Sequence, residues 1–329
     1  MKVPWMPRKL ALSLLFPTLV FAAVFVAALP ASAQEQNAAE IVVNLAAGRV
    51  DVCVAKGALF VAATDEKVEP GSHPPEMMPL GTGRVGVLLG AVEWIRPGSA
   101  IPPVRLDVEL QHIVREAGPM QGGGVTGQQA SDIETIGVAL LEQIRGVARG
   151  FHHKIDLGPD EPLVELLLAD YEDGYGFEVW VLQYRIQQEA LGNDYYETRV
   201  LRPAYTQLYP PEKGQPRTLM EARYPPETQG PSLLELLKQN DPRLQTIRAS
   251  SSKMFEATGR LLEGESSKAN PEDIGAFLRA ALPAVLPADT HMALGEITED
   301  KEFVWLVEPT EPRPASAPGD SDAPSLYKH

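Results

Sequence analysis

The sequence predicts an α+β fold in which two antiparallel sheets pack face to face as a sandwich with flanking helices, an αββα arrangement. Short runs rich in Val, Ile, Leu and Phe come in pairs separated by Gly-containing turns, which is typical of antiparallel hairpins. Between the hairpins lies a clear helix with a single apolar stripe, which should cover a sheet. The strands on either side of it are too apolar to leave a sheet face in water.

The first half of the predicted domain is mostly strand. A strand at 41–45 precedes a hairpin whose strands are 50–55 and 59–64, and this hairpin turns at a Lys-Gly dipeptide. A Pro-rich loop at 70–79 leads to a longer apolar run at 84–94, which predicts a buried strand.

The clearest helix is predicted over residues 131–150. Ser131 and Glu134 have the spacing of a capping box, and Gly150 marks the end. The apolar positions recur at helical spacing and comprise Ile133, Ile136, Gly137, Leu140, Leu141, Ile144 and Val147.

The second half mixes hairpins and helices. Apolar runs at 163–169 and 177–186 predict an antiparallel hairpin. The segment 199–226 has no period and many prolines, so no regular core element is expected there. The remaining predicted elements are helices at 232–239, 242–262 and 271–285, the last capped by Asn270, and a closing hairpin at 292–297 and 303–307.

Residues 1–33 have the pattern of a cleavable, Sec-type export signal. A basic start precedes an apolar run that ends before Ala31-Ser32-Ala33, a small-x-small cleavage site. The alternative is an uncleaved anchor, because about twenty apolar residues can span a bilayer. We expect cleavage, no stable membrane insertion afterwards, and a periplasmic or secreted protein if the source is bacterial. N-terminal sequencing of exported material should give Gln34; an intact Met1 in a membrane fraction would contradict this.

The predicted mature chain is a single α+β domain at 34–308, in which 232–290 is either integral or a separate helical part. Residues 309–329 are rich in Pro and poor in large apolar groups, which predicts a disordered tail.

The charge and cysteine content exclude several classes of protein. The formal net charge is −15, and it becomes −18 when the three cations Lys2, Arg8 and Lys9 leave with the signal. Nucleic acid is therefore not an expected partner, since phosphate binding depends on Lys and Arg. Cys53 is the only cysteine, so no intramolecular disulfide can form. Its place in an apolar strand favours a core residue over a reactive thiol.

Three motifs match known functional patterns only in part and do not predict a functional site. Residues 81–86 match GxGxxG, but a strand follows instead of the helix that a dinucleotide site requires. Ser250 and Lys253 have the SxxK spacing without the other elements of penicillin-binding enzymes. His152 and His153 have no partner motif for a metal. We therefore expect no cofactor and no metal.

One segment, 199–224, is basic and tyrosine-rich in an otherwise acidic chain. Tyr and Arg are enriched at protein interfaces, so this segment is a candidate contact surface for a protein partner. The alternative is a loop packed over the chain's own core. The candidate residues are Arg199, Arg202, Tyr205, Tyr209, Arg217, Arg223 and Tyr224.

The order of elements over about 41–190, with an AATD ending at 62–65 and the LLADYEDG segment at 167–174, resembles a proteasome-type subunit of the N-terminal nucleophile hydrolases. That resemblance implies two antiparallel sheets between helix layers. It also implies a Thr, Ser or Cys at the free start of the first sandwich strand, with an active-site lysine and an acid nearby.

The catalytic part of the resemblance does not match. Residues 46–49 are Ala-Ala-Gly-Arg, and the lysine position falls near Met77 or Met78. Asp65 alone matches the acid. The sequence thus favours a non-catalytic binding or assembly component. The alternative is a hydrolase of the N-terminal nucleophile or peptidase type with an unrecognised nucleophile, for which Cys53 and Ser250 are the candidates. A nucleophile should line a pocket beside a base.

Overall fold

The computed structural model describes residues 41–65, 73–96, 100, 102–117, 126–158, 160–211, 219–224, 226, 230–287 and 290–309. The predicted signal at 1–33 and nearly all of the predicted tail lie outside these residues. Within them, no helix combines the length and the hydrophobicity needed to cross a bilayer.

The described chain contains strands and helices in the following order: β1 (Val42–Ala46), β2 (Gly48–Ala55), β3 (Ala58–Asp65), β4 (Glu76–Pro79), β5 (Arg84–Ile95), β6 (Val104–Arg105), α1 (Leu106–Ala117), α2 (Thr126–Ala148), β7 (Val164–Glu172), β8 (Gly176–Tyr184), β9 (Ile186–Gly192), β10 (Tyr195–Val200), β11 (Ala204–Tyr209), β12 (Leu219–Tyr224), α3 (Leu233–Lys238), α4 (Pro242–Ala249), α5 (Ser252–Glu263), α6 (Pro271–Val285), β13 (Met292–Thr298) and β14 (Phe303–Val307).

The strands form two large sheets. Sheet I has the order β1-β5-β7-β8-β11, with β4 and β6 also paired to β5, and sheet II has the order β12-β2-β3-β13-β14. Strands β9 and β10 form a separate two-stranded ribbon. The pairings between named strands are antiparallel, including that of β5 with β7. The fold is therefore mixed α+β with antiparallel sheets, as the sequence predicts.

Three apolar cores separate the layers. One lies between the sheets and contains Val52 and Val61 of sheet II with Val87 and Leu167 of sheet I. A second joins the other face of sheet I to α1 and α2, and a third joins the other face of sheet II to α3 through α6. Because successive side chains of a strand point to opposite faces, each sheet contributes to two cores.

The long helix begins earlier than predicted. Helix α2 starts at Thr126, so Ser131 lies inside it and the predicted capping box is wrong. Glu134 is exposed, and a polar residue on the solvent side of a helix needs no capping role. Helix α1 was not predicted, although Leu106 and Leu110 are fully buried one turn apart.

The predicted absence of regular structure at 199–226 is also wrong. Strands β11 and β12 lie within it, and each sits at the edge of a sheet. The prolines do not interrupt them, because Pro203 and Pro210 flank β11 and Pro225 follows β12. The predicted helix at 242–262 is divided in two by a new cap, in which Ser251 Oγ accepts a hydrogen bond from Met254 N at 3.1 Å.

Other local predictions hold. Ser232 and Glu235 form a reciprocal capping box on α3, and Asn270 caps α6. The hairpins β2–β3, β7–β8 and β13–β14 are present close to their predicted positions.

Candidate functional site

The start of β2 is where the resemblance would place a nucleophile. The chain leaves β1 of sheet I at Ala46 and enters β2 of sheet II at Gly48, and Ala46 and Ala47 are buried. A Cβ atom on Gly48 would clash with the backbone oxygen of Thr64 and would also meet the Pro75 ring. A residue with a hydroxyl or thiol side chain therefore does not fit at Gly48 without a shift of backbone.

Arg49, the next residue, belongs to a group of four charged side chains, of which Arg49 and Asp51 are buried and Glu221 and Arg223 are partly buried. Its Nε lies 2.8 Å from Asp51 Oδ2. Across the strand pair, Asp51 lies opposite Glu221 and Arg49 lies opposite Arg223, and the Arg223 and Glu221 side chains are themselves in contact. Burial raises the pKa of Asp51 to about 6, although the Arg49 guanidinium opposes this rise.

The other positions that the resemblance marks have structural roles. Met77 lies in the core between the sheets and Met78 in the core against α1 and α2, so neither supplies an amine. The Asp65 carboxylate accepts a hydrogen bond from His291 N at 2.6 Å and lies 2.8 Å from His291 Nδ1. Asp65 thereby ties the start of β13 to the end of β3.

A cleft opens between the edge strands β11 of sheet I and β12 of sheet II, and we call it the edge cleft. Its volume is about 350 Å³. Strands β7 and β8 contribute its inner wall. The lining residues are Glu165, Val181, Gln183, Thr206, Leu208, Glu221, Ala222, Arg223 and Pro226.

Glu165 is the most deeply buried acid of the edge cleft, with 3% of its surface exposed. The Gln183 amide donates a hydrogen bond to Glu165 Oε2 at 2.8 Å, and Gln183 Oε1 accepts one from Arg185 Nη2 at 3.2 Å. Burial raises the pKa of Glu165 to about 7, and the hydrogen bond from Gln183 only partly offsets this effect. A buried carboxyl in an open cleft is a candidate for ligand contact.

The two candidate nucleophiles lie elsewhere. Cys53 is buried in the core between sheet II and its helices, and burial raises the pKa of its thiol to about 12. Ser250 is exposed at the end of α4, where its Oγ donates to Ile247 O at 2.6 Å. Neither residue lines the edge cleft.

The weaker motifs also have structural roles. Strand β5 begins at Arg84, inside the GxGxxG segment, so the segment is a turn that leads into a strand. The His152 ring stacks on Tyr195 with 4.4 Å between ring centroids. The backbone oxygen of His153 accepts a hydrogen bond from Gln188.

The candidate contact residues fall into two groups. Arg199, Arg202 and Tyr205 are exposed, and Tyr209 is half-buried. Arg217 lies outside the described residues. The Arg223 side chain is 10% exposed and its Nη2 donates to Gly230 O at 2.8 Å, while Tyr224 is 1% exposed. The expectation that Tyr224 faces a partner is wrong, because alternation on β12 turns Tyr224 into the core between the sheets. Arg223 points to the opposite face, where it is held by Glu221 and Gly230.

The sequence reasoning did not single out Glu165, Gln183 or Glu221. A usable indication was present for Glu165, which is an acid inside the apolar run Leu163-Val164-Glu165-Leu166. An acid enclosed by large apolar residues in a strand is a candidate buried carboxyl. No comparable pattern marks Gln183 or Glu221.

No protein-family model and no curated protein matches this chain.

Proposed function

We propose that this chain is a non-catalytic binding or assembly component built on an N-terminal-nucleophile-like sandwich. The observation that carries the proposal is Gly48. It lies in residues 46–49, the stretch that the resemblance matches to the nucleophile, and the Thr64 backbone leaves no room at this position for a side chain.

The neighbouring positions support the same conclusion. Ala46 and Ala47 carry no nucleophilic atom. Arg49 is buried and is paired with Asp51. The methionines that replace the family lysine are buried in apolar cores. The helix–sheet–sheet–helix layering supports kinship in fold, and the loss of these groups removes the chemistry.

A binding component needs an exposed surface that contacts its partner. The exposed members of the basic segment are Arg199, Arg202 and Tyr205, and we call them the contact surface. Tyr205 is on the edge strand β11, and Arg199 and Arg202 precede it. Arg202 and Arg199 are cations in an acidic chain, although Arg199 already forms an exposed ion pair with Glu197 at 3.3 Å, so an acidic patch on a partner would be attracted to this surface and mainly to Arg202.

A crosslinking experiment tests this proposal. A photoreactive phenylalanine analogue replaces Tyr205 in the exporting cells, and a matched control carries it at Glu256, an exposed position on α5. We expect one discrete crosslinked partner at position 205 and none at 256. With that partner purified, the double variant Arg199→Ser/Arg202→Ser should bind about tenfold or more weakly, whereas its stability should stay within about 0.5 kcal/mol of wild type because both side chains are exposed.

Two results would contradict the proposal. One is equal partner binding by the wild type and the double variant. The other is turnover of ester or peptide substrates that disappears in Cys53→Ala or Ser250→Ala, since this would support the hydrolase alternative.

A further inference from the structure

The edge cleft contains an uncompensated carboxyl. The only hydrogen-bond donor to Glu165 within the described chain is the neutral Gln183 amide, at 2.8 Å from Oε2. A titratable neighbour of this carboxyl is Tyr224, whose pKa is raised mainly by burial and also by the charge of Glu165. A buried carboxylate with a neutral partner alone is costly, so a cation that enters the cleft would be strongly stabilised beside it.

A second acceptor faces the same space. Thr206 of β11 lines the cleft and offers a hydroxyl. Glu221 and Arg223 of β12 also line the cleft, but alternation on that strand turns their side chains to the opposite face of sheet II, where they pair with each other near Asp51. Acceptors that come from two separate residues, Glu165 and Thr206, suit an ammonium, which has three donors on one atom, better than the planar fork of a guanidinium.

The walls of the cleft suit an aliphatic stem. Val181, Leu208, Ala222 and Pro226 line it and offer apolar surface. Lysine buries its methylene stem along such surface and keeps only its end charged. The lining therefore has the two parts that a lysine side chain requires.

The edge strand beside the cleft explains how a lysine would be presented. Among the strands of the described residues β11 is the last of sheet I, and residues 204–209 carry no charge. An open, uncharged sheet edge accepts an extended segment by main-chain hydrogen bonds. Alternate side chains of such a segment would point into the space between the sheets, where the edge cleft lies.

We propose that the edge cleft receives a lysine side chain from an extended segment of the partner, which pairs with the outer edge of β11 and places its ammonium beside Glu165 and Thr206. This inference rests on the proposed binding function.

Calorimetry with two synthetic heptapeptides tests the inference. One has a central lysine among Val, Thr and Ala, and the other has norleucine in its place, which keeps the stem and removes the charge. We expect the lysine peptide to bind about 10- to 100-fold more tightly, the range of one charge-assisted buried contact. Glu165→Gln should abolish this difference. Glu178→Gln, in which the changed residue lies on β8 and contacts Trp180 on the other face of sheet I, should preserve it.

Two further binding measurements test the inference, one at different pH values and one with a free amine. Lysine-peptide binding should strengthen from pH 5.5 to 8, as Glu165 ionises, and norleucine-peptide binding should not. Butylamine should bind at least tenfold more weakly than the lysine peptide, because it lacks the main-chain contacts to β11. Equal binding of the two peptides, or of butylamine and the lysine peptide, overturns the inference. If Glu165→Gln binds the purified partner as wild type does while Arg199→Ser/Arg202→Ser does not, the lysine site fails and the binding function stands.

Discussion

Replacing Gly90 by alanine should destabilise the chain by about 3–5 kcal/mol. Gly90 lies in β5 between β1 and β7 with φ of 84°, a left-handed conformation that residues with a side chain seldom adopt. An added Cβ would lie 2.5 Å from the backbone oxygen of Leu163 and 3.1 Å from the Tyr224 ring. The Leu163 oxygen cannot easily move away, because it accepts a hydrogen bond from Ala91 N at 2.9 Å.

Urea denaturation measures this effect, and Gly146→Ala is the matched control. Gly146 is exposed within α2, and a Cβ there would meet nothing within 4 Å. The control should be neutral or stabilised by up to about 1 kcal/mol, because alanine has the higher helix propensity. If both variants have wild-type stability, the close approach at Gly90 is not present in the folded protein.

Glu165→Gln should stabilise the chain at pH 8 by up to about 3 kcal/mol and by less than about 1 kcal/mol at pH 5. Burial raises the pKa of Glu165 from 4.5 to about 7. The folded chain therefore keeps this proton up to about pH 7, whereas the unfolded chain releases it near pH 4.5. Since the folded state binds more protons in this window, the contribution of Glu165 to stability falls as the pH rises.

Unfolding free energies at pH 5 and pH 8 give the comparison. The wild type should itself be less stable at pH 8, because burial also raises the pKa of Asp51 to about 6 and that of Glu76 to about 7. Glu189→Gln, at an exposed position of β9, is the control and should follow the wild-type pH dependence. A Glu165→Gln variant with the full pH dependence of the wild type would show that this carboxyl is not buried in solution.

The Gly90→Ala and Glu165→Gln variants test different properties, the backbone packing of the fold and the charge of the edge cleft. Gly90 acts through backbone geometry near Leu163 and Tyr224, whereas Glu165 acts through its charge. Glu165→Gln keeps an oxygen that can accept from Gln183, so it removes the ionisable group with little change in shape. It should therefore remain folded in the peptide-binding experiment.

Local sequence patterns were sufficient for the elements that depend on near neighbours. The β2–β3 turn could be predicted because Lys56 and Gly57 separate two apolar runs. The structure gives the physical reason for the glycine, since Gly57 has φ of 72°, which glycine adopts without strain. Helix α6 could be predicted because Asn270 is a cap residue and apolar residues recur at helical spacing along the whole helix. The start of α2 could not be predicted from the capping-box pattern, because a Ser-x-x-Glu spacing can also occur within a helix.

The candidate site was mostly hidden from the sequence. Glu165 could have been identified as an acid within an apolar strand, but Thr206 and Ala222 line the same cleft only because β11 pairs with β8 and β12 pairs with β2. Those pairings bring together residues more than 40 positions apart along the chain. Proline-rich composition hid both strands, since the prolines stand at their ends.

The amino-acid sequence by itself determined the hairpins β7–β8 and β13–β14, the capped helices α3 and α6, the lone cysteine and the acidic balance, because each depends on composition or on residues close together in the chain. The tertiary structure alone decided that β1 and β2 enter different sheets, that Gly48 has no room for a side chain, and that two edge strands enclose the buried carboxyl of Glu165. These features depend on which distant strands pair and which faces they bury, and short-range periodicity does not encode that choice.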